Sequence, residues 1–497
     1  MRPRMASFAL ALAIASPVLA QSASHDPTWW DKFLYISNNG PDALQTTTAA
    51  PTSGTNVDVS NECGPQSETC IAINPSNPKQ LAGGSNEIFR LPMRAYFSSD
   101  GGQTWGGSDL PLPPVIGTNG VDFGSDPGVA FDSSNNLYYS YIVVFFGNGN
   151  GQSIKGTQLA VARSTDGGRT WPQATFFGFN GGTDHFNDKP MVTTDANRRS
   201  PFRDSVYVAW DAASGGSSSG GVRLARSRDR GLSFTTARID DPNGPGHSIG
   251  ATVTTGPDGQ VYVAWNDIAA NTIAFNNSFD GGVTFGTPRV IASKSIAFDI
   301  GIPAEFNRRA LVYPACDADR TARGAHRGRI TCSWMDLTPD GQDTDIYASF
   351  SDDAGATWSR RYRVAESFAG VDRYNHWLAT DPLTGEVNIS YYDTRNDSTG
   401  SKFETDIYLS RSSDGVHFSP SLRVTDAKTN EHDCNGLFPC LSINYGNQTG
   451  DYEGVAAFGG VVHPIWTDSR RNTDRTGDPA CGRGHGLMEE VFTATVQ

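Results

Sequence analysis

Acidic side chains recur in this chain directly behind aromatic ones: Trp210-Asp211, Trp265-Asn266-Asp267, Trp334-Met335-Asp336, Tyr392-Asp393 and Trp466-Thr467-Asp468. A second polar set opens short apolar runs and comprises Glu68, Asp126, Asp188, Lys189, His247, Arg309, His376, Asp451, Tyr452 and Glu453. Glu87, Arg395 and Arg470 close or follow other apolar runs. Carboxylates brought to one place repel one another unless they are paired, hydrogen-bonded or bound to a cation. Gathered together, they could form an acid/base pair or hold calcium, which favours clustered oxygen ligands. No EF-hand-like loop is present, and the metal ligands stay undefined. The five repeated Asp residues also have a structural use, capping turns and bonding to neighbouring segments.

The elements that would position these residues are short strands in pairs. The clearest are Asp126 to Phe131 with Leu137 to Tyr141, and Ala251 to Thr255 with Val261 to Trp265. Further pairs are Met191 to Thr194 with Val206 to Trp210, Leu311 to Pro314 with Ile330 to Trp334, and Trp377 to Thr380 with Val387 to Tyr392. Gly454 to Phe458 with Val461 to Trp466 is the last, and another opens near Glu68. Intervals of roughly 60 residues suit four-stranded blades with generous loops. Offset from these pairs, a motif Ser-x-Asp-x-Gly-x-x-Trp/Phe runs Ser98, Asp100, Gly102, Trp105 and recurs at Asp166, Asp229, Asp280 and Asp353. A sixth copy, Ser412-Ser413-Asp414-Gly415-Val416-His417-Phe418, is one residue short. The Asp can accept N–H bonds across a turn, the Gly permits positive φ, and the ring packs beneath. The 54 glycines among 497 residues fit a chain of many tight turns.

Together these repeats predict an all-β, seven-bladed β-propeller. A six-bladed ring with an appended piece is the alternative. The seventh blade carries no motif and runs into Glu490 to Val496; Lys32 to Ile36 is expected to add its outer strand and hide an edge. In such a ring the starts of first strands and the ends of second strands converge at the central opening, and the motif hairpins lie on the opposite face. That places the polar sets around one funnel. The insertion from Asp426 to Gly450 carries His432, Asp433 and Tyr445. It is expected on the same face, either as a substrate lid or as a surface excursion.

The repeated motif resembles the Asp-box of the sialidase superfamily, over nearly the whole chain beyond its first residues. The resemblance implies a secreted, carbohydrate-active glycoside hydrolase with a Tyr nucleophile, a Glu beside it, an Asp acid/base and arginines that grip a carboxylate. Tyr452 is the best match for the nucleophile, Glu68, Glu87 and Glu453 for the Glu, and Asp126 or Asp188 for the acid. Arg309, Arg395 and Arg470 are the arginines expected on that face, with Glu87 and Asp451 beside the substrate. The match departs at the first arginine: sialidases carry Phe/Tyr-Arg-Ile-Pro there, and this chain reads Gln66-Ser67-Glu68-Thr69. Phe89-Arg90-Leu91-Pro92 looks like that motif but stands in the wrong place. A glutamate where the arginine belongs disfavours a carboxylated sugar. Related propellers imply two further readings: a uronate polysaccharide lyase, with His376, His247 or Tyr452 abstracting a proton, and a non-catalytic module that binds a glycan or protein.

The bulk composition narrows the partners. A net charge of −14 argues against nucleic acid, which demands a basic face. No stretch approaches the roughly 20 apolar residues of a membrane helix. Arg2 and Arg4, the apolar run Phe8 to Ala15 and Val18-Leu19-Ala20 read as an export signal over residues 1–20. The expectation is a single domain over 21–497, secreted or periplasmic, monomeric and acting on a glycan. The seven cysteines then read as disulfides: Cys63 with Cys70, Cys434 with Cys440, Cys316 with Cys332, and Cys481 left over.

Overall fold

The Asp-box hairpins close by one recurring set of bonds. In the first copy, Asp100 Oδ1 accepts the N–H groups of Gln103 and Thr104, both at 3.0 Å. The Ser98 hydroxyl donates to Asp100 at 2.8 Å and accepts the Gly102 N–H at 2.9 Å. Gly102 has φ +84°, which only glycine adopts without strain, and Trp105 Nε1 donates back to the Gly102 carbonyl at 3.1 Å. Asp353 repeats the arrangement, and bonds from the Thr357 hydroxyl and N–H hold its carboxyl down at about 2. In the shortened copy the His417 ring nitrogen meets Asp414 at 2.7 Å, where the other copies use a hydroxyl.

The computed structural model describes residues 56–60, 62, 65–88, 90–111, 122–145, 156–181, 186–212, 220–306, 308–432, 448–473 and 489–497. All but two of the strands fall into seven antiparallel sheets of at least four strands. Their first strands are Gln66–Ile73, Asp122–Phe131, Asn187–Thr194, Ser248–Thr255, Ala315–Ala318, Arg373–Thr380 and Gly454–Phe458. Each contacts the next, and the last contacts the first, so the chain is a closed seven-bladed β-propeller. Each Asp-box joins the third and fourth strands of its blade. Antiparallel alternation therefore sets it at the end opposite the openings of the first strands. The aromatic–Asp signature has a packing reason: Trp210, Trp265, Trp334 and Trp466 close their second strands fully buried.

The ring is closed by non-local pairing. In the last blade, Asn56–Asp58 pairs with Glu490–Ala494, outside Val461–Asp468 and Gly454–Phe458. The closing strand is thus this short segment; Lys32 to Ile36, expected in that place, and residues 1–20 lie outside the described residues. The fifth blade also differs from expectation. Ala310–Leu311 leaves the blade to pair with Asp299–Ile300, and the inner strand is Ala315–Ala318, just beyond Pro314, which has no N–H to give a ladder. Cys316 and Cys332 face each other across that blade and form a disulfide. Cys70 is a free thiol 3.7 Å from the Gly84 carbonyl, so it forms no clasp with Cys63. Cys63, Cys434, Cys440 and Cys481 lie outside the described residues. Among those residues no helix is long and apolar enough to cross a membrane.

Candidate functional site

Five inner strands carry a register shift near their start, and at each shift one residue has positive φ: Glu68 (55°), Asp126 (59°), Lys189 (49°), Gly250 (70°) and Asn375 (40°). Such bulges re-aim a side chain, and left-handed backbone at a non-glycine residue is strain that its surroundings must hold. Here the surroundings are the residues of the other blades. Asn86 donates to Glu68 at 2.7 Å and accepts the Asp126 N–H at 2.8 Å, bridging the first two blades. The Lys189 N–H donates to Asp126 at 3.1 Å, bridging the second and third. Asn375 donates to the Gly450 carbonyl at 2.8 Å, joining the sixth to the segment that opens the seventh.

At the centre lies a buried network of charge. Asp451 receives a two-pronged bond from the Arg308 guanidinium, with Nε at 2.7 Å, and Lys189 Nζ at 2.5 Å. Burial works against its ionisation, but the two cations hold its carboxyl well below the ordinary range. Glu68 stands 3.7 Å from both cations and accepts the Asp451 N–H at 3.2 Å. Burial dominates there and pushes its carboxyl up. The carboxyls of Asp126 and Asp188 stand close enough for each to shift the other's proton affinity. Burial first, and the Asp188 charge among the further causes, raises Asp126 to about 7. Asp188 is also raised by burial, but unlike Asp126 it is only half-buried, so the pair reaches the open end of the channel.

Tyr452 lies beneath this network. Its ring is 5.5 Å from Lys189 Nζ and packs edge-on against Tyr313 at 5.6 Å. The hydroxyl donates to the Pro127 carbonyl at 3.2 Å. Burial, then Glu68 and Asp126, hold the phenol far above its ordinary value and therefore protonated.

The other expected residues sit elsewhere. His376 is buried against the Ser333 backbone with no hydrogen-bond partner for Nε2, and burial lowers it to about 4. Arg309 points to the half-exposed Asp299, at 3.0 Å, while its neighbour Arg308 enters the network. Arg395 bonds Asp393 at 2.7 Å and lies 3.9 Å over the Tyr408 ring. Arg470 bonds Asp468 and Asp426 and lies over Phe492. Both belong to outer parts of their blades. Glu87 accepts the Tyr96 hydroxyl at 2.6 Å. Glu453 ties the last blade to its neighbours through Thr69 and Tyr392, and accepts the Thr467 N–H within its own blade. Of the candidates, then, the structure brings together Glu68, Asp126, Asp188, Lys189, Asp451 and Tyr452. It adds Arg308 and Asn86. Arg90, in the motif-like Phe89-Arg90-Leu91-Pro92, is bound by Glu62 at 3.1 Å and by Asp109 at 2.5 Å; Phe89 lies outside the described residues.

Arg308 is held in place by the segment before the last blade. The Gln448 side chain accepts the Arg308 N–H at 3.0 Å, and Thr449 bonds Glu305. From the insertion, His432 stacks between Phe306 and Phe403 and meets the Pro303 carbonyl at 2.7 Å, pinning the loop that carries Arg308. Asp433 and Tyr445 lie outside the described residues. Among the described residues no three His, Cys, Asp or Glu side chains are grouped to hold a metal; the central carboxylates meet Arg308 and Lys189 instead.

No family model matches the sequence, and no curated protein does. Several solved structures are similar to the chain at low identity. An intramolecular trans-sialidase from Ruminococcus gnavus superposes with a TM-score of 0.44 at 12% identity, over 66% of this chain and 90% of that one. The NanB sialidase from Streptococcus pneumoniae gives 0.46 at 11%, over 76% and 70%. The α-L-arabinofuranosidase arb93a from Fusarium graminearum gives 0.44 at 13%, over 74% and 98%. By its seven blades and its six Asp-box hairpins, the chain is a seven-bladed β-propeller that resembles the sialidases in architecture.

Proposed function

We propose that this chain is a carbohydrate-active enzyme, a glycoside hydrolase that works at the central opening with Asp126 and Asp188. The observation that carries the reading is a pair of neighbouring carboxyls at the central opening, the buried one raised to about 7 and the other half-buried toward the open end. A carboxyl that keeps its proton near neutral pH is suited to general-acid cleavage of a glycosidic bond. Asp126 is the general acid. Asp188 is the partner that passes the proton between Asp126 and the opening. Asp451, Arg308 and Lys189 fix the neighbouring backbone and field, and Tyr452 supplies a buried floor. The cations of this opening are already engaged by Asp451, which favours a neutral sugar over a carboxylated one.

The test is turnover on neutral aryl glycosides, sialosides and uronate polysaccharides, with and without a chelator. Release of a neutral sugar, lowered by about 10²–10⁴-fold in Asp188→Asn and retained in Tyr452→Phe, supports the reading. Sialoside cleavage lost in Tyr452→Phe at unchanged stability replaces it with a tyrosine nucleophile. Unsaturated uronate products replace it with a lyase. No turnover on any substrate, with glycan binding retained, replaces it with a binding module.

A further inference from the structure

The sixth position of the Asp-box reads Gln103, Arg169 and Ala356 in the first, second and fifth copies, but Leu232 in the third and Val283 in the fourth. The fourth copy also carries Phe279 in its second position. These three apolar side chains stand out from the hairpin tips: Leu232 is 61%, Phe279 64% and Val283 48% exposed. The turn between the first and second strands of the third blade, residues 195–205, shares that face and touches both hairpins. Arg228 of the third box lies 5.2 Å over the Phe202 ring, and that ring packs against Gly281 of the fourth box.

Around these tips the face is rich in arginine. Arg198, Arg199 and Arg203 are exposed on the turn, and Arg228 and Arg230 on the third box. Arg203 is the one of the five in an ion pair among the described residues, with Asp204 at 3.4 Å, and its Nε donates to the Ser133 hydroxyl at 2.8 Å. Arg198 donates to the Ser76 hydroxyl at 3.1 Å, so the turns of the first three blades form one platform. The nearby carboxylates are turned into their own hairpins: Asp229 accepts the Ser233 N–H, and Asp280 those of Val283 and Thr284. On a chain with a net charge of −14, this cluster of cations is a local excess that suits an anionic partner.

We propose that this face is a docking surface for an anionic lipid bilayer. A bilayer interface takes apolar side chains singly into the boundary of the acyl chains, with cations around them at the level of the headgroups. A folded protein partner is met by a closely packed apolar core instead. Here the apolar groups stand at the tips of two hairpins, with an arginine-bearing turn between them. Docking through this face leaves the carboxylate mouth, at the other end of the channel, open to the medium. The docking surface is independent of the hydrolase site.

Co-sedimentation of the full chain with sucrose-loaded vesicles of equimolar phosphatidylcholine and phosphatidylglycerol tests the proposal, with phosphatidylcholine alone and soluble dextran sulfate as controls. The expected result is saturable binding to the mixed vesicles, about tenfold or more weaker with phosphatidylcholine alone, and falling as salt is added. Leu232→Ser with Phe279→Ser is expected to weaken it about tenfold. Arg199→Gln with Arg230→Gln is expected to weaken it by about as much and to flatten the salt dependence. Phe368→Ser, in an exposed loop on the mouth side, leaves binding unchanged. No binding to the mixed vesicles, binding that survives both double variants, or loss of binding in Phe368→Ser overturns the proposal. Dextran sulfate bound equally by the parent and by the double serine variant, without vesicle binding, replaces it with a site for an acidic polysaccharide.

Discussion

Asp211 closes the second strand of the third blade with its side chain wholly buried. One carboxyl oxygen accepts the Ala251 N–H of the next blade at 3.1 Å, while Oδ1 has no hydrogen-bond partner. Burial is the largest influence and lifts the group from an ordinary 3.8 to about 7, although the Ala251 and Gly250 N–H groups and Lys189 pull the other way. The folded state therefore binds a proton that the unfolded chain has released between these two values. Stability from this group is fully present below about pH 4 and is lost as pH rises through 7. At about 1.4 kcal/mol per tenfold change in proton affinity, the loss approaches about 4 kcal/mol by pH 8. Asp211→Asn keeps an acceptor for Ala251 and carries no charge at any pH. Urea unfolding at pH 5, 6.5 and 8 should show the variant within about 1 kcal/mol of the parent at pH 5 and more stable by about 2–4 kcal/mol at pH 8. Curves that run parallel across this range would refute the reasoning, because they would mean that Asp211 is no harder to ionise in the fold than in the open chain.

Three further outcomes are expected. Asp451→Asn leaves Arg308 and Lys189 buried without their shared counter-charge and should cost about 3–5 kcal/mol in chemical unfolding at neutral pH, part of it recovered by adding Arg308→Gln. Replacing Cys316 and Cys332 by alanine opens a crosslink between positions 16 apart and should lower stability by about 3 kcal/mol, a loss that full reduction of the parent reproduces. On whichever glycoside is turned over, kcat/KM should fall as pH rises past about 7, where Asp126 loses its proton, and Asp126→Asn should remove most of the rate together with that limb.

The seven blades were legible in the chain because their signals are local. The Asp-box needs only a serine, an aspartate, a glycine and a ring at fixed spacing. The aromatic–Asp ends of the second strands follow from burial of one indole at one register. The closing strand was placed in principle but on the wrong segment, because Asn56–Asp58 is three residues long and shows no alternation. At the centre, Glu68, Asp126, Asp188, Asp451 and Tyr452 could be chosen by strand order alone. What strand order could not supply was the bulges, since left-handed backbone at Glu68, Asp126 or Lys189 has no glycine to announce it. Nor could it tell Arg308 from Arg309, because the fifth inner strand starts later than its apolar pattern suggests. Arg308 finds Asp451 across 143 positions, and Asp451 finds Glu68 across 383. Contacts of that range exist only once the ring has closed, so the sequence by itself determined the scaffold, and the packing of blade against blade decided which charges meet.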